Sequence, residues 1–332
     1  MKTADPQGQK GETRVTTETS AGRPYSLRGK RVWVAGHNGM VGSALVRRLQ
    51  SEDCTVLTVN RRELDLKRLD KVRTWMEDNQ PQAVLVAAAR VGGIMANQTL
   101  PVEFLHDNLM ISNSIIESSF ETKVEKLLFL GSSCIYPRMA PQPIVEESLL
   151  TGPLEPTNEW YAIAKIAGIK LCQAFRQQHG CDFISGMPTN LYGPGDNYDL
   201  NSSHVIPALI RKAHEAKLAG ESEIVMWGTG SPLREFMHVD DCADALVHVL
   251  KNYSAHQHIN IGYGEDISIL QATQLVCEAV DYKGKITHDL TKPDGTPRKL
   301  MSSARLHALG WSPKISLREG LAETYKAFLA RE

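Results

Sequence analysis

The stretch VAGHNGMVGSAL, Val34 to Leu45, decides the fold. It spaces Gly36, Gly39 and Gly42 as G-x-x-G-x-x-G between a β-branched apolar run and a segment with helical spacing. A glycine triplet alone marks little more than a loop. Between a strand and a helix each glycine has a mechanical reason: a tight turn at Gly36, close approach of the backbone to a pyrophosphate at Gly39, and helix-to-sheet packing at Gly42. The helix N-terminus then faces the phosphates, and its unpaired amides favour an anion. The stretch predicts a dinucleotide site, with Met40 and Val41 in the first helical turn.

The pattern repeats outward from there. RVWVAG (31–36), TVLTVN (55–60), AVLVAA (83–88), KLLFLG (126–131) and FISGMP (183–188) are nearly continuous apolar runs, as expected of strands covered on both faces. Amphipathic segments beginning near Gly39, Lys67, Pro101 and Thr157 alternate with them, so the fold class is α/β, a doubly wound parallel sheet of Rossmann type. After Pro188 the rhythm loosens into Gly- and Pro-rich connections. This half reads as a smaller C-terminal α/β substrate lobe with one return to the main sheet. The expected division is a flexible N-terminal extension over 1–27, a nucleotide-binding domain over 28–187 joined by about 235–262, and a substrate lobe over 188–234 and 263–332.

Bulk composition narrows the partners. The 332 residues are 42% hydrophobic and 23% charged with a formal net charge of −1, so nucleic acid and membrane surfaces are not expected and a small ligand is. Cys54, Cys134, Cys172, Cys181, Cys242 and Cys277 lack CxxC spacing. That excludes zinc ribbons and a secreted disulfide framework, predicts no metal, and fits a reducing cytoplasm. No apolar run approaches the roughly 20 residues of a membrane span. The first 27 residues lack a signal peptide's apolar region.

The end of the second strand should select the nicotinamide cofactor. An NAD site places an Asp or Glu there for the ribose hydroxyls, whereas NADP needs a cation for the 2′-phosphate. The chain has TVNRREL, with Asn60, Arg61 and Arg62 where an acid would stand, so NADP (as NADPH) is expected. The alternative is two solvated surface arginines, since Glu63 follows. Asp65 could reach the adenine, and AAARVGG puts Ala87, Ala88 and Ala89 where a dinucleotide backbone would pass; both could equally be packing.

Chemistry concentrates in two places. EWYAIAKIAG sets Tyr161 and Lys165 one helical turn apart on one face, beyond the strand-end serine Ser132 of FLGSSCIYP. A phenol is a sluggish acid at neutral pH, and a neighbouring ammonium brings it toward working range. Ser132 and Tyr161 could donate together to a substrate carbonyl oxygen as hydride arrives at carbon. Cys134, two residues after Ser132, would face the same side of an extended segment. A thiol there is a plausible acid/base for protons next to a ketone; the alternative is a buried filler. His204 precedes a helix after the MPTNLYGPGDNY loop, at a strand end facing the cleft.

The glycine turn, the strand-end serine and the Y-x-x-x-K pair resemble the extended short-chain dehydrogenase/reductase family in its sugar-nucleotide branch. GSSCIYP, MPTNLYGPGDNY, NSSHVIPALIRK, WGTGSPLREFMHVDD and KPDGTPRK are similar to that branch's epimerase-reductases of GDP-linked 4-keto-6-deoxy sugars, over essentially everything after the N-terminal extension. The resemblance implies Ser132, Tyr161 and Lys165 as a reductase triad and Cys134 with His204 as an epimerisation pair. It adds Leu66, Leu130, Gly131, Lys165, Pro188, Asn190, Leu191 and His204 to the cofactor contacts. It implies a homodimer and a GDP-sugar substrate held by Lys212, Trp227, Arg234 and Asp294. A guanidinium fork and an ammonium suit two phosphates, an indole can stack on guanine, and a carboxylate can pair with its N1–H and amino group. For Arg234 the alternative is an ion pair with Asp240 or Asp241. Asn38 departs from the arginine that some relatives carry. Two other functions stay open: a reductase for a different GDP-keto-sugar, and a non-catalytic NADP-sensing regulator, which would not need the second acid/base pair.

Overall fold

The computed structural model describes residues 24–200, 202–291 and 294–331. The first half alternates strand and helix: β1 (Lys30–Ala35), α1 (Met40–Leu49), β2 (Cys54–Leu57), α2 (Leu69–Asn79), β3 (Ala83–Val86), α3 (Ile94–Thr99), α4 (Pro101–Glu121), β4 (Lys126–Leu130), α5 (Glu159–His179) and β5 (Asp182–Pro188). The second half runs β6 (Asn190–Tyr192), α6 (Val205–Ala219), β7 (Glu223–Trp227), β8 (Leu233–Arg234), β9 (Phe236–His238), α7 (Val239–Asn252) and β10 (Ile259–Ile261). It ends with β11 (Ile267–Ser268), α8 (Ile269–Val280), β12 (Lys285–Asp289), β13 (Arg298–Lys299), α9 (Ala304–Ala308) and α10 (Leu317–Leu329).

Six strands form a parallel sheet in the order β10-β5-β4-β3-β1-β2. The chain winds one way from β1 to β2 and the other way through β3, β4 and β5. The switch point, where ligands bind such sheets, therefore lies beyond the carboxyl ends of β1 and β3. Strand alternation feeds two cores. Val32 and Val34 face Leu45, Leu49, Leu246 and Val249 of α1 and α7, while Trp33 and Ala35 face Met76, Ile115 and Ile169 of α2, α4 and α5. The return to the main sheet is β10, paired with β5.

The second half has its own core among α6, α8 and α10, around Ile210, Val276 and Leu321. In β7 burial alternates, with Ile224 and Met226 inside and Trp227 left 59% exposed. A three-stranded sheet ordered β11-β8-β13 sets Arg234 directly beside Lys299.

Three expectations change. β2 stops at Leu57, because the chain turns at Asn60, whose carbonyl accepts from the Glu63 and Leu64 amides. β3 likewise ends at Val86 rather than at residue 88. Of the expected flexible extension, 1–23 lie outside the described residues, but 24–27 belong to the fold. Leu27 is 2% exposed, the Tyr25 amide donates to the Lys251 carbonyl at 2.7 Å, and the Tyr25 hydroxyl donates to Glu125 at 3.0 Å.

Candidate active site

The glycine turn is built as its spacing requires. Gly36 has φ +91°, and a Cβ there would lie 2.6 Å from the Ala88 backbone, so the turn closes against the loop after β3. A Cβ on Gly42 would strike the Gly36 carbonyl. At Gly39 the nearest atom would be 3.5 Å away. The protein itself does not demand glycine there, which suits a position kept bare for a phosphate. Gly39 caps α1 without a side-chain bond, and the first turn, Met40 and Val41 included, carries no acid. Those amides fit a pyrophosphate.

Beyond β2, Asn38 donates to Asn60 at 3.1 Å and Asn60 to Glu63 at 3.2 Å. With Arg61 and Arg62 they line a recess of about 500 Å³. Both arginines are exposed, and among the described residues neither has an ion-pair partner. Asp65 accepts from the Lys67 amide at 3.1 Å, a local turn contact, and Leu66 packs on the core. Ala87 donates its amide to Ala35, and Ala87, Ala88 and Ala89 stay half-buried along the switch point.

At the end of β4 the Gly131 amide donates to the Gly186 carbonyl, and the Met187 side chain fills the space a Cβ would need. Packing alone thus accounts for this glycine. Ser132 is extended, with φ −162°, but Ser133–Ile135 is a 3₁₀ turn. The expected extended alternation from Ser132 to Cys134 is therefore corrected. The turn folds Cys134 back so that its thiol donates to Ser132 Oγ at 3.2 Å, while the Cys134 amide approaches the same oxygen at 3.4 Å.

From α5, Lys165 reaches the same strand end. It is 2% exposed, donates to the Leu130 carbonyl at 2.7 Å, and holds its ammonium 5.7 Å from the Tyr161 ring centroid. Phe104 meets the Tyr161 ring edge-on at 6.5 Å. Burial first, then the nearby Cys134 charge, pushes the Tyr161 phenol up. Lys165 is committed to the Leu130 carbonyl rather than to the phenol oxygen. In this geometry the Tyr161 phenol is kept neutral. Burial also raises the Cys134 thiol, against the pull of Lys299, the Ser132 hydrogen bond and Lys165.

Burial pulls Lys165 down to about 8 from an ordinary 10.5. Because the folded value is the lower one, the unfolded chain binds more protons across the window between them, and stability rises with pH there. In the apoprotein, any advantage of Lys165→Met over wild type in unfolding free energy should shrink from about pH 8 to about pH 10.5. Denaturant melts across that range check it; a constant difference contradicts it.

His204 caps α6 without a side-chain bond. The residue is exposed, yet crowding by neighbouring atoms lowers its pKa from the ordinary histidine value. The preceding loop is tied to the cofactor half, where the Gly93 amide donates to the Ser202 carbonyl at 2.9 Å. Among the described residues no hydrogen bond joins His204 to the Ser132, Cys134, Tyr161 and Lys165 group. Pro188 ends β5, and Asn190, followed by Leu191 in β6, donates its amide to the Glu235 carbonyl at 2.8 Å.

In the second half the Lys212 ammonium lies 5.1 Å from the exposed Trp227 ring. Asp294 accepts from the Thr229 amide at 2.9 Å and its hydroxyl at 2.8 Å. Asp240 pairs with Arg47, and Asp241 accepts from the Lys314 and Ile315 amides. The ion-pair alternative for Arg234 therefore fails; Arg234 donates to the Leu233 carbonyl instead. Sequence reasoning missed Lys299. It stands beside Arg234, and its charge acts on both Arg234 and Cys134, linking the β8 cations to the thiol. KPDGTPRK contains it, but only the β8–β13 register singles it out.

A phosphate turn at the switch point of a parallel sheet, with Ser, Tyr and Lys gathered beyond β4, defines a Rossmann-type NAD(P)-dependent oxidoreductase or epimerase. Residues 32–262 match the NAD dependent epimerase/dehydratase family, and the chain belongs to that family. It is 60% identical to the GDP-L-fucose synthase of Sinorhizobium fredii, over 92% of this chain and 98% of that protein. It is 58% identical to GDP-L-fucose synthase 1 of Arabidopsis thaliana, over 90% and 93% respectively. The NADP-bound crystal structure of a GDP-L-fucose synthetase from Naegleria fowleri superposes with a TM-score of 0.87 at 29% identity, covering 93% of this chain and 96% of that one.

Proposed function

We propose that this chain epimerises GDP-4-keto-6-deoxy-D-mannose at C3 and C5 and then reduces C4 with NADPH, giving GDP-L-fucose. The observation that carries the reading is the Cys134 thiol on the Ser132 hydroxyl, at 3.2 Å, within electrostatic reach of Tyr161 and Lys165. A simple ketone reductase needs no such thiol; an enzyme that first moves protons on carbon does. The 60% relative is itself a GDP-L-fucose synthase, which favours this reading over other GDP-keto-sugar products.

The C4 ketone acidifies the protons on C3 and C5, and an enolate formed at either carbon carries its charge on the same oxygen. Ser132 and Tyr161 hold that oxygen. Cys134 and His204, on opposite faces of the sugar, remove and return the carbon protons. NADPH, when bound, supplies the hydride to C4. Tyr161 gives the C4 oxygen its proton. Arg234 and Lys212 hold the diphosphate, with Trp227 and Asp294 on the guanine.

NADPH preference rests on Arg61 and Arg62, which line the recess beyond β2 with no carboxylate partner among the described residues. Charge-assisted bonds to a 2′-phosphate are worth about 1.5–3 kcal/mol, so kcat/KM for NADPH should exceed that for NADH by roughly tenfold or more. NADPH oxidation on GDP-4-keto-6-deoxymannose, with the product identified by NMR, tests the whole reading. Equal use of the two cofactors would overturn the arginine assignment, and no substrate-dependent oxidation would overturn the function.

The six cysteines are unpaired, consistent with a reducing cytoplasm. Among the described residues no helix is long and apolar enough to cross a membrane. The chain pairs with a second copy through α4 and α5, where Val102, Trp160 and Ile163 stand exposed; a monomeric mass in solution would contradict this.

A further inference from the structure

Two residues beyond Cys134, Tyr136 closes the same turn, its amide directed at the Ser133 carbonyl. Its hydroxyl is buried among side chains that the reaction does not touch. It lies 2.5 Å from Asn260 Oδ1 and 2.9 Å from His258 Nε2.

The direction of each bond follows from valence. Asn260 spends its amide donors on the Ile144 carbonyl at 3.0 Å and the Ser302 carbonyl at 3.2 Å, so its oxygen faces Tyr136 and the hydroxyl donates there. His258 must then present Nε2–H to the hydroxyl oxygen. Its other nitrogen is buried and unpartnered, as a bare acceptor would be. Burial, Arg305 and Lys170 hold this histidine down at about 4, so the arrangement is fixed at working pH.

The Asn260 backbone N–H also donates to Glu146 at 3.0 Å, and Glu146 pairs with Arg305 at 3.2 Å. The Ile144 amide donates to the Leu300 carbonyl, one residue beyond Lys299, and the Ser302 amide donates back to Ile144. The turn that carries Cys134 is thereby bolted to the segment that follows β13 in the substrate lobe.

We propose that Tyr136 is a positioning residue for Cys134: its hydroxyl, locked between Asn260 and His258, sets where the thiol stands relative to a sugar held by the substrate lobe. This rests on the epimerase-reductase reading above. It separates the two halves of the reaction, because Tyr161 and Lys165 are carried by α5, and Ser132 stands ahead of the turn at the end of β4, where the Gly131 amide is anchored on Gly186. A misplacement of about 1 Å can cost up to about a hundredfold in rate.

The test compares Tyr136→Phe with wild type in D₂O by NMR of the product. Deuterium entry at C3 and C5 should fall about tenfold to a hundredfold. Reduction of a 4-keto sugar supplied already inverted at both carbons, and the KM for the GDP-sugar, should stay within about threefold. His258→Gln, which keeps a donor toward Tyr136, should retain exchange, whereas His258→Leu should lose it; this pair decides the matter if Tyr136→Phe does not fold. Wild-type exchange in Tyr136→Phe, or an equal fall in exchange and reduction, overturns the positioning role. A wild-type enzyme that shows no exchange overturns the function itself.

Discussion

Cys134→Ser will lose exchange of the C3 and C5 protons by about a hundredfold or more, while it still reduces a 4-keto sugar supplied with both centres already inverted. A serine fits the space and can keep the contact with Ser132, so the loss is chemical. A hydroxyl is far too weak an acid or base at neutral pH to replace a thiol, even one that burial raises against the pull of Lys299 and Lys165. The measurement is deuterium entry from D₂O, read by NMR, beside NADPH oxidation on the two substrates. Exchange at the wild-type rate would make Cys134 a buried filler, as its 6% exposure alone permits.

Tyr161→Phe acts on the other half. It removes the phenol proposed to donate to the C4 oxygen and touches no proposed phosphate contact. Hydride transfer should fall about a thousandfold, with NADPH affinity within about twofold of wild type. Single-turnover oxidation of NADPH gives the first quantity and a fluorescence titration the second. A variant that loses cofactor affinity and keeps its rate would place Tyr161 in the binding site and not at the reacting carbon. Since Lys165 spends its ammonium on the Leu130 carbonyl at 2.7 Å, the phenyl variant should leave that lysine in place.

The parallel sheet was legible because strands buried on both faces read as unbroken apolar runs, and because the three glycines fall between one such run and a helix. Their ends were not: β2 stops at Leu57 because Asn60 starts a turn held by backbone bonds. Leu27 and Tyr25 sit in a polar stretch, and only contacts far along the chain place them in the fold: Tyr25 bonds to Lys251 and Glu125, and Leu27 is buried in the core over α7. Of the candidate site, the Tyr161 and Lys165 pair was legible from its helical spacing together with its place after the fourth strand, and Ser132 from its strand end. The 3₁₀ turn that brings Cys134 onto Ser132 is a local conformation that the residue pattern does not announce. Lys299 becomes visible only when β13 pairs with β8, two segments widely separated in the chain. The same holds for Tyr136, which reads as an ordinary aromatic until Asn260 and His258 meet its hydroxyl.

The most direct measurement is the position of isotope in the product when the wild-type enzyme turns over GDP-4-keto-6-deoxymannose with unlabelled NADPH in D₂O. One oxyanion site serving two epimerisations and one reduction predicts deuterium at both C3 and C5, with protium at C4 delivered from the nicotinamide. Protium retained at C3 and C5 would mean that the chain only reduces a ketone, and the account built on Cys134 and His204 would be wrong.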